Sequence, residues 1–220
     1  MVQKEPKDEK APRGRPRAYD PDAALANATG AFWRAGFSAT SLDELSAATG
    51  MNRPSLYGAF GDKRALYLQA LKRYTEEGRA AMHEALAPGP DLRESLLRVY
   101  DAALALYLPK GEAPRGCFLI NTGSAESLND DDVRAQLAGA LREFDREFEQ
   151  RFRRAQAEGE LDAEADPVLL SKVASALLHT LALRSRAGDG RAAMRATAVA
   201  GVELICGPAG GRKSRPTRGG

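Results

Sequence analysis

The sequence predicts an all-α protein of about nine helices: a small three-helix head at the N-terminus, then a larger helical body. Three observations support this. Apolar residues recur at helical spacing almost throughout, and no stretch alternates as a strand does. Good N-caps (Ser41, Asn52, Asp62) and stop glycines (Gly36, Gly50, Gly61) punctuate the N-terminal part. The two ends, 1–18 and 208–220, are polar and rich in proline or glycine, and read as a flexible basic arm and a disordered basic tail.

The first helix is expected over Pro21–Ala35. Leu25, Ala28, Phe32 and Trp33 share its inner face, Pro21 suits the first turn, and Gly36 follows the end. The second starts after Ser41, where Ser41 and Glu44 have capping-box spacing, and stops at Gly50. The third opens at Asn52, tolerates Pro54 in its first turn and ends at Gly61. The fourth follows Asp62 and carries Leu66, Tyr67, Ala70, Leu71 and Tyr74 towards Leu86. Pro88-Gly89-Pro90 breaks the chain.

A fifth helix is expected over Leu92–Tyr107, then a loop (KGEAPRG) and a short helix with an irregular start in CFLINTGSAES. A long helix from Asp131 to Glu158 bears the stripe Val133, Leu137, Leu141, Phe144, Phe148 and Phe152. Its opposite face is charged, with Glu147–Arg151 and Glu149–Arg153 at i,i+4 spacing. The last two helices, Pro167–Ala187 and Arg191–Cys206, are rich in Ala, Leu and Val. Their low charge suits burial against a second copy, through Leu170, Val173, Leu177, Leu181, Met194, Ala198 and Val202, or an ordinary monomer core.

Composition narrows the function. Apolar content of 43% with 28% charged residues is ordinary for a globular protein. No run of about 18 apolar residues appears, so no membrane span is expected. The N-terminus lacks an apolar signal segment, and Cys117 and Cys206 lack metal spacing, so a cytoplasmic chain is expected. No glycine-rich phosphate loop, zinc spacing or nucleophile elbow is present, and the only histidines are His83 and His179. No enzyme, metal or cofactor is expected. Residues 10–19 and 208–220 together carry eight positive charges and no acid, leaving the rest of the chain acidic. A basic arm ahead of an acidic body points to a polyanion, the alternative being a merely solvated arm.

Residues 41–60, SLDELSAATGMNRPSLYGAF, fit a helix-turn-helix: a short capped helix, a turn containing Gly50, and a second short capped helix. In that motif the second helix enters the major groove and its N-terminal side chains face base edges. Here Asn52, Arg53, Pro54, Ser55 and Tyr57 are those residues. Ser41, with the amides of its first turn, is a phosphate site, and Lys63 is a second clamp. Arg15 and Arg17 in the arm are candidates for a narrow minor groove.

The segment FWRAGFSATSLDELSAATGMNRPSLYGAFGDKRALYLQAL resembles the DNA-binding domain of the tetracycline-repressor (TetR/AcrR) family. The matching features are ordered: Phe32-x-x-x-Gly36-Phe37, Thr40-Ser41, the Leu-x-x-Leu-x-x-Ala-x-Gly of Leu42–Gly50, Ser55–Phe60, and Asp62-Lys63-x-x-Leu66. The resemblance covers about Tyr19 to Tyr74 and is looser beyond, where GCFLINTGSAES is similar to a segment of one family branch. It implies a DNA-binding head over 19–64, and a body over 65–207 that binds a ligand and dimerises through its last two long helices. Thr40, Ser41, Tyr57 and Lys63 become phosphate contacts, and Asn52, Arg53 and Ser55 base-edge contacts. Gly58-Ala59 departs from the family's bulkier pair, so any contact from those side chains is missing. Pro54 offers no donor.

The resemblance further implies a repressor dimer on a pseudo-palindromic double-stranded operator, released by a small, largely apolar effector. A ligand-independent DNA-binding dimer is the alternative. Candidate pocket residues on the fourth to eighth helices are Leu71, Tyr74, Leu96, Tyr100, Leu104, Cys117, Phe118, Asn121, Phe144, Phe148, Leu178 and His179. Without a ligand these are simply core. Cys117 follows Arg115-Gly116 at a helix start, which allows a lowered thiol pKa and a redox or electrophile sensor, against a small buried hydrophobe.

Overall fold

The computed structural model describes residues 19–207. The arm, with Arg15 and Arg17, and the tail over 208–220 lie outside the described residues. Among those described, nine α-helices and one π-helical turn occur and no strand does. They are α1 (Pro21–Ala35), α2 (Leu42–Thr49), α3 (Arg53–Phe60), α4 (Lys63–Ala85), α5 (Leu92–Tyr107), the π turn (Leu119–Gly123), α6 (Ser124–Glu126), α7 (Asp131–Ala157), α8 (Pro167–Ala187) and α9 (Arg191–Cys206).

The first four helices start where their caps dictate. Asp20 accepts from the Asp22 amide at 2.9 Å, Asn52 from Ser55 at 2.9 Å, and Asp62 from Ala65 at 2.7 Å. Ser41 and Glu44 close the capping box at 3.1 and 2.6 Å. Each cap satisfies an amide that has no intrahelical acceptor. Gly50 is left-handed at φ 67°, the conformation that ends α2 and turns the chain into α3. Phe32, Leu45, Leu56 and Phe60 fill the space between α1, α2 and α3, and Tyr67 from α4 sits edge-on to Phe32 at 5.2 Å.

The body packs α7 against α8, α5 against α9, and α8 against α9. Leu96, Tyr100, Leu104, Phe148, Phe152 and Leu181 are fully enclosed, and Tyr100 donates its hydroxyl to the Ala174 carbonyl at 3.1 Å. The α8–α9 crossing is close because Gly201 has no side chain: a Cβ there would lie 2.4 Å from Leu177 Cδ2. The irregular start expected in CFLINTGSAES is the π turn, tied to α4 by the Tyr67–Thr122 hydroxyl pair at 2.8 Å. By length and mean hydropathy α8 would also suit a membrane span. Buried core helices pass the same test, and Ser171, Ala174, Leu178 and Ala182 of α8 are buried within the fold.

Two expectations are corrected. Arg151 is not a solvated partner of Glu147: its side chain is 1% exposed. Arg151 lies three residues after Phe148 and one before Phe152, so it falls on the inner face of α7. There it reaches Glu160 at 2.7 Å, the Pro90 carbonyl at 3.2 Å and Ser95 Oγ at 3.3 Å. Glu160 in turn accepts from the Leu92 amide at 2.8 Å and caps α5. Glu147 instead meets His83 and Arg79 of α4, while Glu149–Arg153 forms as expected. The second correction concerns the contact face of α8 and α9. Leu181, Met194, Ala198 and Val202 are buried inside the protomer, where they pack α8 and α9 onto the rest of the body. Leu170 and Leu177 are half-buried and Val173 is exposed. The outward large apolar side chains are Val168, Leu169, Val173, Leu183 and Leu204, the last 88% exposed.

Arg151→Ala removes a buried charge that holds α5, α7 and the 158–161 turn together, so it lowers unfolding free energy by about 3 kcal/mol. Glu147→Ala, on the pair the periodicity singles out, lowers it by under about 1 kcal/mol; urea denaturation of both variants checks the ranking. Gly58 sits mid-α3, exposed, with nothing within 4 Å of a built Cβ. Gly58→Ala therefore raises stability by roughly 0.5–1 kcal/mol in the same measurement; a loss would mean the helix needs glycine there.

Candidate nucleic-acid interface and adjoining cavity

The outer face of the head is formed by the start of α3. Asn52, Arg53, Pro54 and Tyr57 are exposed and Ser55 is half-buried. The Asn52 carbonyl oxygen is engaged in the cap, so its amide N–H groups are what it can offer a partner. Arg53 forks onto Asp43 Oδ1 at 2.7 and 3.2 Å. Both side chains are more than half exposed, so the pair holds Arg53 by about 1 kcal/mol at most and yields readily to a base edge. Tyr57 projects its ring outward at 46% exposure.

Ser41 sits at the head of α2 with its hydroxyl proton free, because Oγ only accepts in the cap. The Asp43 and Glu44 carboxylates occupy the same turn, so its amides alone are a weaker anion site than the sequence promises. Glu44 is held below the usual carboxylate range, first by the Ser41 amide. Lys63 opens α4 with its ammonium 4.5 Å from the Phe37 ring, an orientation that leaves its charge near the head's edge. Thr40 is a correction. It is buried and its hydroxyl donates to the Gly36 carbonyl at 2.6 Å, closing the α1–α2 turn, so it is not available to a phosphate.

Behind the head lies a cavity of about 510 Å³, within the size range of small-molecule sites. It exists because small residues face one another: Ala26 and Gly30 on α1, Gly78 and Ala81 on α4, Ala102 and Ala103 on α5. Trp33, Tyr74, Met82, Val99, Tyr107, Leu119, Ile120, Phe144 and Leu178 complete an apolar wall. Exposed Glu77, Ala81, Ala102 and Leu106 mark the rim along α4 and α5. Arg73, Arg115, Thr29, Cys117 and His179 add polar atoms.

Of the expected pocket residues, Tyr74, Cys117, Phe144, Leu178 and His179 line this cavity. Leu71, Leu96, Tyr100, Leu104, Phe118 and Phe148 do not. They are fully enclosed, because large side chains at the centre of the stripes fill the core rather than hollow it. Asn121 is not in the wall either; it donates to the Arg115 carbonyl at 2.6 Å. The sequence reading overlooked α1 altogether. The usable signal was small residues at helical spacing: Ala26 and Gly30 on α1, Gly78 and Ala81 on α4, and Ala102 and Ala103 on α5.

The thiol expectation reverses. Burial pushes Cys117 up rather than down, against weaker lowering by the Tyr74 hydroxyl, which donates to Sγ at 3.3 Å. Tyr74 and Tyr107 are pushed well up by burial, and His179 is pushed down by it, so all four groups are neutral near pH 7. A neutral buried thiol is a poor nucleophile, which removes the basis for a reactive-cysteine sensor.

Head and body meet at this cavity. Trp33 Nε1 donates to the Arg115 carbonyl at 3.0 Å, and the Arg115 guanidinium lies 5.3 Å from the indole centroid. Lower down, Ser38 Oγ donates to Glu126 at 3.0 Å, and Arg64 reaches Asp130 at 2.5 and 2.8 Å and Asp132 at 2.6 Å. Arg64 holds Asp130 down to about 2.

Residues 24–70 match the model for bacterial regulatory proteins of the tetR family, and residues 93–200 match the tetracyclin repressor-like C-terminal domain. The HTH-type transcriptional repressor ComR of Escherichia coli is 35% identical over 180 residues, 81% of this chain and 85% of that protein. The transcriptional regulator AcuR of Cereibacter sphaeroides is 31% identical over 172 residues, 74% and 77% of the two. Among solved structures, a cysteine-substituted form of the TetR family regulator CifR, complexed with 26-bp operator DNA, superposes with a TM-score of 0.77 at 31% identity, over 87% of this chain and 100% of that one. The chain belongs to the TetR family of transcriptional regulators, with its helix-turn-helix in the head and its cavity at the joint between head and body.

Proposed function

We propose that the chain is a homodimeric repressor, acting in the cytoplasm, whose operator affinity falls when a small, largely apolar effector enters the cavity. The observation that carries this reading is the shared wall: α1 belongs to the head, yet Ala26, Thr29, Gly30 and Trp33 face the cavity together with helices of the body. A molecule filling that space touches both parts at once. Its affinity then depends on where the head sits, which is the differential binding that effector release requires.

On DNA, α3 enters the major groove. Asn52, Arg53 and Ser55 read base edges, Pro54 and Tyr57 pack beside them, and Ser41, Tyr57 and Lys63 hold phosphates. Arg15 and Arg17 take the adjacent minor groove. The dimer forms through the outward residues Leu169, Val173, Leu183 and Leu204, with half-buried Leu170 and Leu177 at the edge, since large apolar side chains exposed on both terminal helices call for cover.

An operator selected from a random duplex pool allows the test. Arg53→Ala weakens binding about 10- to 100-fold and relaxes sequence preference, because base-edge contacts carry roughly 1–3 kcal/mol of discrimination. Lys63→Gln, and removal of residues 1–17, weaken binding across sequences and flatten the salt dependence, by about one unit of slope for Lys63. An Arg53→Ala variant that binds and discriminates like the parent sinks the α3 assignment. Leu204→Glu is expected to leave the fold intact but halve the mass seen by light scattering, towards the 23.6 kDa of one chain. Met194→Glu should instead unfold the protomer, since Met194 is fully buried. A dimer that survives both Leu204→Glu and Val173→Glu would place the seam elsewhere.

A further inference from the structure

We infer that the effector is a small, largely apolar carboxylate, and that Arg115 recognises it by exchanging the Trp33 ring for the carboxylate. The inference rests on the cavity being the effector site.

Arg115 is the charged group of the cavity wall that is not satisfied. Its Nη2 donates to Glu112 at 2.9 Å, and its guanidinium lies over Trp33. Its Nε is buried and has no partner among the described residues. A guanidinium presents five donors, and a buried donor left unmade is unfavourable, so an acceptor delivered to this wall gains more than it would in water.

The charges of the wall favour an anion. Arg73 and Glu77 both line it, but they pair with each other at 2.7 Å. Among the described residues, no unpaired carboxylate faces the cavity to receive a cation. Glu112, the present partner of Arg115, is 62% exposed and therefore a weak competitor. His179 on α8 is kept neutral by burial and makes no hydrogen bond within the described residues, so it neither repels nor attracts charge strongly. Beyond the neutral Thr29, Tyr74, Tyr107 and Cys117, the rest of the wall, with Met82, Val99, Leu119, Ile120, Phe144 and Leu178, is hydrocarbon. A hydrophobic body with one carboxylate end fits this distribution.

The backbone fixes where Arg115 acts from. Its amide donates to Tyr107 at 2.9 Å, and its carbonyl receives Trp33 Nε1 and Asn121 Nδ2 at 3.0 and 2.6 Å. Gly116 follows at φ +63°, where a Cβ would lie 2.6 Å from Asn121 Nδ2 and 2.7 Å from the Ala182 carbonyl. Only glycine fits there, and the loop has no room to slide. The side chain is the movable part. Because Nε is enclosed, an acceptor reaches it only as the guanidinium turns, and turning takes it off the indole of α1. Recognition and the loss of a head–body contact are then one event.

Trp33 is the chain's only tryptophan, so its emission reports on this contact. The experiment titrates the full chain with matched probes, octanoate against octanol and cinnamate against cinnamyl alcohol, and follows Trp33 fluorescence. At least one carboxylate is expected to bind ten or more times more tightly than its alcohol and to shift the emission. Arg115→Met should abolish that preference while unfolding at the parent's urea midpoint, and Arg115→Lys should restore part of it. Alcohols binding as tightly as carboxylates, neither carboxylate binding, or a preference that survives in a folded Arg115→Met would each overturn the inference. Mobility shifts of the selected operator with the same probes separate the two readings. A carboxylate that binds through Arg115 yet leaves the operator bound supports the recognition and overturns only the effector role of the cavity.

Discussion

Phe32 and Trp33 are neighbours on α1, yet they serve different cores. Successive helical residues point about 100° apart, so one ring enters the head and the other the body. Phe32 packs on Tyr67 and Phe37, and Trp33 on Tyr74 and Phe118. Tyr67 and Tyr74 lie two turns apart on α4, and both meet Phe118 edge-on at 5.9 and 5.6 Å. The result is an unbroken chain of rings from the α1–α2 turn to the cavity wall. Each contact contributes about 0.5–1.5 kcal/mol beyond its burial. Effector coupling is typically 1–3 kcal/mol, so losing or rearranging one or two of these contacts is enough to re-seat the head.

The parts of the fold legible in the sequence are those fixed by local chemistry. The caps at Asp20, Ser41, Asn52 and Asp62 each involve an oxygen and an amide two or three residues apart, so their geometry follows from the order of residues. The break at Pro88–Pro90 and the stripe of α7 are equally local. Arg151 was not legible, because its partners Ser95, Pro90 and Glu160 come from other segments. Periodicity alone assigned it to solvent with Glu147, whereas a charge on an inner face is stable only when distant chain supplies its acceptors.

The cavity was misread for a different reason. Choosing large apolar residues from each stripe selects what fills space, and Leu96, Tyr100 and Phe148 fill it completely. A hollow is made where side chains stop short, and Gly30, Gly78, Ala102 and Ala103 are the residues that do so. A similar ambiguity affected α8 and α9. Both helices are apolar on more than one face, so composition marks them for burial without saying which face meets the protomer. Tertiary packing resolves it: Met194, Ala198 and Val202 turn inward, and Leu204 turns out.

In the proposed release mechanism the head responds to a cavity that it helps to wall. A relay through a single shifting helix would need each contact along it to be bistable. Here no long relay is required. α1 contributes wall to the cavity and a ring to the head core within two adjacent residues, while Leu178 and His179 bring α8 to the opposite side. The shape of the cavity is therefore a direct function of where α1 lies against the body. Any ligand whose best fit differs from the present shape draws free energy from moving α1. The Arg64–Asp130 pair and the Ser38–Glu126 bond oppose that movement from the far end of the head. Asp130 is only 19% exposed and Arg64 45%, so that pair is the firmer of the two and acts beside the aromatic chain in holding the head to the body.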